Sequence, residues 1–146
     1  MQKSKRCNCL VVAELAFLVL WTMVIWGHSM MPPAVSAAES DWVAELLRKI
    51  LPFELPFSIR KIAHFSEFAV YGAAAFLAFV RLFGLRIQTV INALFAGLLT
   101  AVTDEFIQVF TGRGSAVTDV VLDFCGCLFG VLLCCWLNCV FLKRAE

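Results

Sequence analysis

Residues 60–86 read RKIAHFSEFAVYGAAAFLAFVRLFGLR, and a conflict inside this stretch decides the fold. From Phe68 to Val80 nearly every side chain is apolar, yet Arg60, Lys61, His64 and Glu67 crowd the head of the run. Ionisable groups on a membrane span are costly and need partners, so their presence calls for a reason. The apolar run, about Ile62 to Val80, ends at Arg81, and RLFGLR (81–86) then turns the chain into another run over Ile87 to Phe110. So short a link makes the two helices antiparallel neighbours.

The rest of the chain has the same character. Of its 146 residues 62% are hydrophobic and 16% charged, with a mean hydropathy of +0.88, beyond the range of an ordinary soluble domain. Further apolar runs at about 10–27 and 117–142 complete four segments near the roughly 20 residues that cross a hydrocarbon core of about 30 Å. The expected fold is all-α, one integral membrane domain over 1–146 with four transmembrane helices. A net charge of +1 gives no field to recruit nucleic acid, and no nucleic-acid partner is expected. The seven cysteines lie mostly inside apolar runs, which argues against an extracellular disulfide framework. No Cys-x-x-Cys occurs, which argues against a membrane thiol oxidoreductase. Cys125 and Cys127 point to different helix faces, so packing is the expected use of these thiols.

Basic residues orient the bundle. Lys3, Lys5 and Arg6 precede the first span, Arg81 and Arg86 separate the second and third, and Lys143 and Arg144 follow the fourth. The first outside loop carries a fourth cluster, Arg48, Lys49, Arg60 and Lys61, which weakens the bias, together with Glu39, Asp41, Glu45 and Glu54. Three basic clusters against one favour cytoplasmic termini, and the protein is expected in a bacterial cytoplasmic membrane. The first span is longer than a signal-peptide apolar region and is read as a retained span. Glu14, near its inner end, is expected to snorkel or to pair with Arg81 or Arg86. At its outer end Trp21 and Trp26 read as part of an aromatic belt, and His28 reads either as a further interfacial residue or as a cap on the side of the polar cluster described below.

The first outside loop contains a short extracytoplasmic amphipathic helix. SAAE (36–39) has capping-box spacing, with Ser36 and Glu39 set to satisfy the free amides of a helix start. Val43, Leu46, Leu47, Ile50 and Leu51 then make one apolar face, and Pro52 and Pro56 stop the helix.

At about 1.5 Å per residue, Glu67 lies about 21 Å from Arg81, Asp104 about 27 Å from Arg86, and Asp123 about 30 Å from Lys143. Three helices thus carry ionisable groups to nearly one level, at the outer end. Arg60, His64, Glu67 and Tyr71 share one helical face; Asp104, Glu105 and Gln108 group on the next span; Asp119 and Asp123 lie above the Gly126/Gly130 pair on the last. Because lipid offers no partners, a mutually satisfied polar cluster inside the bundle mouth is expected. Arg113, in the loop between the last two spans, with Arg60 and Lys61 would offset part of the charge of Glu67, Asp104, Glu105, Asp119 and Asp123.

RKIAHFSE (60–67), then DEFIQVFTGR (104–113), then Asp119 and Asp123 followed by Gly126 and Gly130, resemble the VanZ-like family of bacterial membrane proteins. The resemblance covers 60–130 and is weaker before Arg60; Thr111 stands where many relatives carry proline, and Phe68 where Tyr is frequent. It implies a role at the cell envelope, lowering susceptibility to teicoplanin-type glycopeptides.

The cluster has three readings. It captures the polar head of a lipid-linked cell-wall precursor or a lipoglycopeptide in the outer leaflet. In that case Arg60, Lys61, His64, Glu67, Gln108, Arg113, Asp119 and Asp123 form the site and the cations hold phosphate. Alternatively it is an outer-leaflet enzyme site with His64, Glu67, Asp104 and Glu105 as acid–base candidates, or a polar network that only sets helix register. His64 with several carboxylates could hold a divalent cation, but the spacing matches no closed motif such as H-E-x-x-H, and neither metal nor cofactor is expected.

Overall fold

The computed structural model describes residues 2–50 and 58–143. They form five helices: α1 (Gln2–Ser29), α2 (Pro33–Ile50), α3 (Ile59–Phe83), α4 (Ile87–Phe110) and α5 (Val117–Lys143). The described chain is all-α, and α1, α3, α4 and α5 each contain a window long and apolar enough to cross a membrane. Leu51, Pro52, Glu54, Pro56 and Arg144 lie outside the described residues.

α2 begins three residues before the capping-box position. The Pro32 carbonyl accepts from the amides of Val35 (3.0 Å) and Ser36 (3.2 Å), placing Pro33 in the first turn. Proline suits that position because its fixed φ is helical and its missing amide would have no partner there. Ser36 is therefore interior, its carbonyl accepting from the Ser40 hydroxyl at 2.9 Å, and the Ser36–Glu39 pair does not cap.

The α3–α4 turn is made by Gly84, whose φ of 77° is costly for any residue with a Cβ. Its amide donates to the Val80 carbonyl (2.8 Å) and its carbonyl accepts from the Thr89 hydroxyl (2.9 Å), so the reversal satisfies both helix ends.

α3 is the central element, packed on α1, α4 and α5 and touched sparingly by α2. Between membrane helices the driving force is close packing rather than water exclusion, and small residues permit it. Gly126 and Gly130 of α5 lie against the backbone of Phe65 and Ala69, and Gly72 of α3 against the backbone of Cys127. A Cβ at any of the three would collide with main-chain atoms. Cys127 is fully buried with its sulfur against Gly97 of α4, locking three helices together, while Cys125 faces outward. Cys9, Cys125, Cys127, Cys134, Cys135 and Cys139 are free thiols. Around this junction Ile25, Phe68, Tyr71, Phe76 and Val131 form the core. The outer faces are apolar, including Phe95, Phe106, Leu132 and Trp136, as expected where the solvent is hydrocarbon.

At the end of the bundle away from α2, Glu14 of α1 receives Arg81 of α3 through both carboxylate oxygens, at 2.7 to 3.0 Å. Of the two partners anticipated for Glu14, Arg81 is the one used.

Candidate functional site

The polar cluster lies at the α2 end of the bundle, and Gln108 is its hub. One side-chain amide serves four neighbours: Oε1 accepts from Arg60 (2.7 Å), and Nε2 donates to Asp104 Oδ2 (3.0 Å), Glu105 Oε1 (2.9 Å) and, more distantly, Ser29 Oγ (3.3 Å). Gln108 reaches Asp104 and Glu105 because residues three and four apart share a helix face. Asp104 is fully buried and takes a further, short bond from the Ser29 hydroxyl (2.6 Å). Glu105 Oε2 accepts from the Ala116 amide (3.1 Å), holding the start of α5 to the end of α4.

Arg113 is aimed by a glycine. After α4 ends, Gly112 adopts φ 72° and the Arg113 amide returns to the Gln108 carbonyl at 3.2 Å. The guanidinium then turns inward, and Nη1 donates to the His28 carbonyl at 2.7 Å. Burial, and after it the positive charge of Arg60, lower the Arg113 pKa from its ordinary value, while Asp104, Glu105 and Glu67 oppose the shift.

Two residues at the end of α1 join the cluster: His28, for which the sequence left open a place at its side or at the interface, and Ser29, which the sequence reading did not include. His28 Nδ1 lies 2.7 Å from Glu67 Oε1, and the Trp21 indole donates to the Glu67 carbonyl at 2.9 Å. His28 is thus a partner of Glu67 and not merely an interfacial residue. The signal for Ser29 was its place beside His28 at the level of the cluster; a lone serine at a helix end gives no other.

The network is not fully satisfied, contrary to expectation. Asp123 is completely buried, yet neither carboxylate oxygen has a hydrogen-bond partner among the described residues, and the same holds for His64 Nδ1. His64 Nδ1 lies 3.4 Å from Asp123 Oδ1 and 3.9 Å from Asp104 Oδ2, contacts that are close without hydrogen-bond alignment.

Two cavities open on the cluster, with His64 and Arg60 in the lining of both. The larger, about 670 Å³, lies between α2 and α3; His28, Arg60, His64, Glu67 and Arg113 supply polar groups, while α2 contributes Val35, Ala38, Trp42 and Val43 together with the polar Ser36, Glu39 and Ser40. The smaller, about 150 Å³, is lined among others by Lys61, Glu105, Asp119 and Asp123. Of the ten candidate residues, Arg60, His64, Glu67 and Arg113 face the larger cavity, and Lys61, Glu105, Asp119 and Asp123 the smaller. Asp104 and Gln108 sit behind, in neither lining, and hold the others in place.

Residues 14–138 match the family model described as VanZ/LLP1, and the chain belongs to that family. The match includes the Glu14–Arg81 pair and the whole polar cluster. The comparison with curated proteins found no match, and the comparison with solved structures found none.

Proposed function

Starting from a VanZ/LLP1 member with this polar end, we propose that it lies on the extracytoplasmic side of a bacterial cytoplasmic membrane. There it binds the anionic head of a membrane-borne amphiphile and so lowers susceptibility to teicoplanin-type glycopeptides. The side assignment is supported by Lys3, Lys5, Arg6, Arg81, Arg86, Lys143 and Arg144, seven of the twelve Lys and Arg, which flank the spans at the opposite end, while the basic residues of the polar end are interspersed with carboxylates. The observation that carries the binding reading is the composition of the 670 Å³ cavity: Arg60 and Arg113, with Glu39 and Glu67 in the same lining, beside the apolar side chains Val35, Ala38, Trp42 and Val43 of α2. A site of that size, mostly apolar with a few convergent charges, suits an amphiphile whose head is held by cations and whose chain leaves along a greasy surface. A lipid-linked cell-wall precursor and a lipoglycopeptide both answer this description.

The test is expression in a susceptible host, comparing a lipid-bearing glycopeptide with one that lacks the chain. The minimum inhibitory concentration should rise several-fold for the lipid-bearing drug, and the Arg60→Gln, Arg113→Gln double variant, at equal membrane abundance, should lose that rise. No rise with the wild-type chain, or a full rise with the double variant, would defeat the proposal.

A further inference from the structure

Asp123 is the least explained side chain in the protein. A buried carboxylate without hydrogen-bond donors is strongly disfavoured unless a cation or a proton stands with it. Its nearest ionisable neighbour, His64, presents a buried nitrogen that is itself unpartnered. With Asp104 these residues place one donor atom each within 4.8 Å of one another, from three different helices. Around a tetrahedral ion with bonds of about 2.1 Å, ligand atoms sit about 3.4 Å apart. The separations of 3.4 and 3.9 Å from His64 Nδ1 to the two carboxylates therefore match the edges of a coordination shell, slightly expanded.

We propose that His64 Nδ1, Asp104 Oδ2 and Asp123 Oδ1 bind one divalent transition-metal ion of the zinc class. An imidazole with two carboxylates suits zinc, and manganese next, better than the all-oxygen shells of magnesium and calcium. The surroundings are those of a metal site. Asp104 is oriented from behind by Ser29 and Gln108, and Gln108 by Arg60, the kind of support that fixes metal ligands. Glu105 is held by Gln108 and the Ala116 amide and stays outside the shell. The 150 Å³ cavity reaches His64 and Asp123, giving an entry path and room for a fourth, exchangeable ligand near Lys61 and Arg60. The ion would fasten α3, α4 and α5 at one point. This inference does not depend on which amphiphile occupies the larger cavity, or on whether one does.

The experiment uses the full chain purified in detergent without chelator. Metal analysis should find one transition-metal ion per chain. EDTA should lower the thermal midpoint, and re-addition of Zn²⁺ or Mn²⁺ alone should restore it where Mg²⁺ does not. Asp123→Asn and His64→Ala should lose both the metal and the response, while Glu45→Gln, exposed on α2 and outside both cavity linings, should keep both. Because removing a buried ligand can itself unfold the chain, Co²⁺ added to the stripped wild-type protein gives an independent reading: visible absorption bands that saturate at one equivalent. Absence of stoichiometric metal together with no response to Zn²⁺ or Mn²⁺ overturns the proposal, leaving a His64–Asp123 ion pair. Binding unchanged in folded Asp123→Asn and His64→Ala overturns it equally.

Discussion

At the scale of single residues the site depends on an uncharged side chain. Gln108 is fully buried and simultaneously receives Arg60 and donates to two carboxylates, which a charged residue could not do. Gln108→Leu would keep the bulk and remove every bond, leaving Asp104 and Glu105 short of donors and Arg60 short of an acceptor. Unsatisfied buried groups of this kind cost about 1–3 kcal/mol each, more when charged. The variant is therefore expected to lose about 3 kcal/mol or more, measured as a fall in thermal midpoint in detergent. A milder case is Glu14→Gln: the amide keeps the shape and an acceptor for Arg81 and leaves no buried cluster unsatisfied, so its loss should be smaller than that of Gln108→Leu. Gln108 was legible as a site member from its helical register with Asp104 and Glu105. Its role as hub was not, because that required the Arg60 side chain to arrive from another helix.

At the scale of elements the decisive contact is α3 on α5. Gly126→Ala and Gly130→Ala each drive a Cβ into main-chain atoms of α3, and backbone cannot step aside as a side-chain tip can. Each should separate the helices and cost about 1–3 kcal/mol, in the manner of overpacked cores. Gly27→Ala, with nothing within 4 Å, should be neutral or stabilising by up to about 1 kcal/mol through helix propensity. Thermal unfolding of the three variants side by side reads the difference. The Gly126/Gly130 spacing announced this contact, and the basic residues and apolar runs announced the four long helices, because membrane spans leave strong signals of length and composition. The start of α2 was misread because two valid signals competed: the Ser36–Glu39 box and Pro33. The chain uses the proline, which comes first and needs no side-chain geometry to act. The His64–Asp104–Asp123 grouping left no closed motif, since its members are separated by 40 and 19 residues and meet only once three helices pack.

At the scale of the whole molecule the polar end and the basic end are about a membrane thickness apart, and the proposed orientation predicts their accessibility. On a cysteine-free background, Ser115→Cys in the α4–α5 link should react with a membrane-impermeant thiol reagent in intact cells. A cysteine at Gly84 should react only after the membrane is opened. The reverse pattern would invert the topology and remove the support for an outer-leaflet ligand. The two ends also bind α1 to α3 differently. At one, Glu14 meets Arg81; at the other, Glu67 draws in both His28 and the Trp21 indole. The apolar window of α1 is little buried by the bundle, so these polar contacts take a large share in placing it.

That arrangement has a consequence for how the protein is made. Chains emerge N-terminus first, so α1 leaves the ribosome before any of its polar partners exist. The partner of His28 follows 39 residues later, that of Ser29 75 residues later, and Arg113, which grips the His28 carbonyl, 85 residues later. During that interval Glu14 has no Arg81, and Ser29 no Asp104. Although α1 is made before the other four helices described, it is therefore among the last of them to be fixed in place, and its final seat is defined by residues synthesised after it.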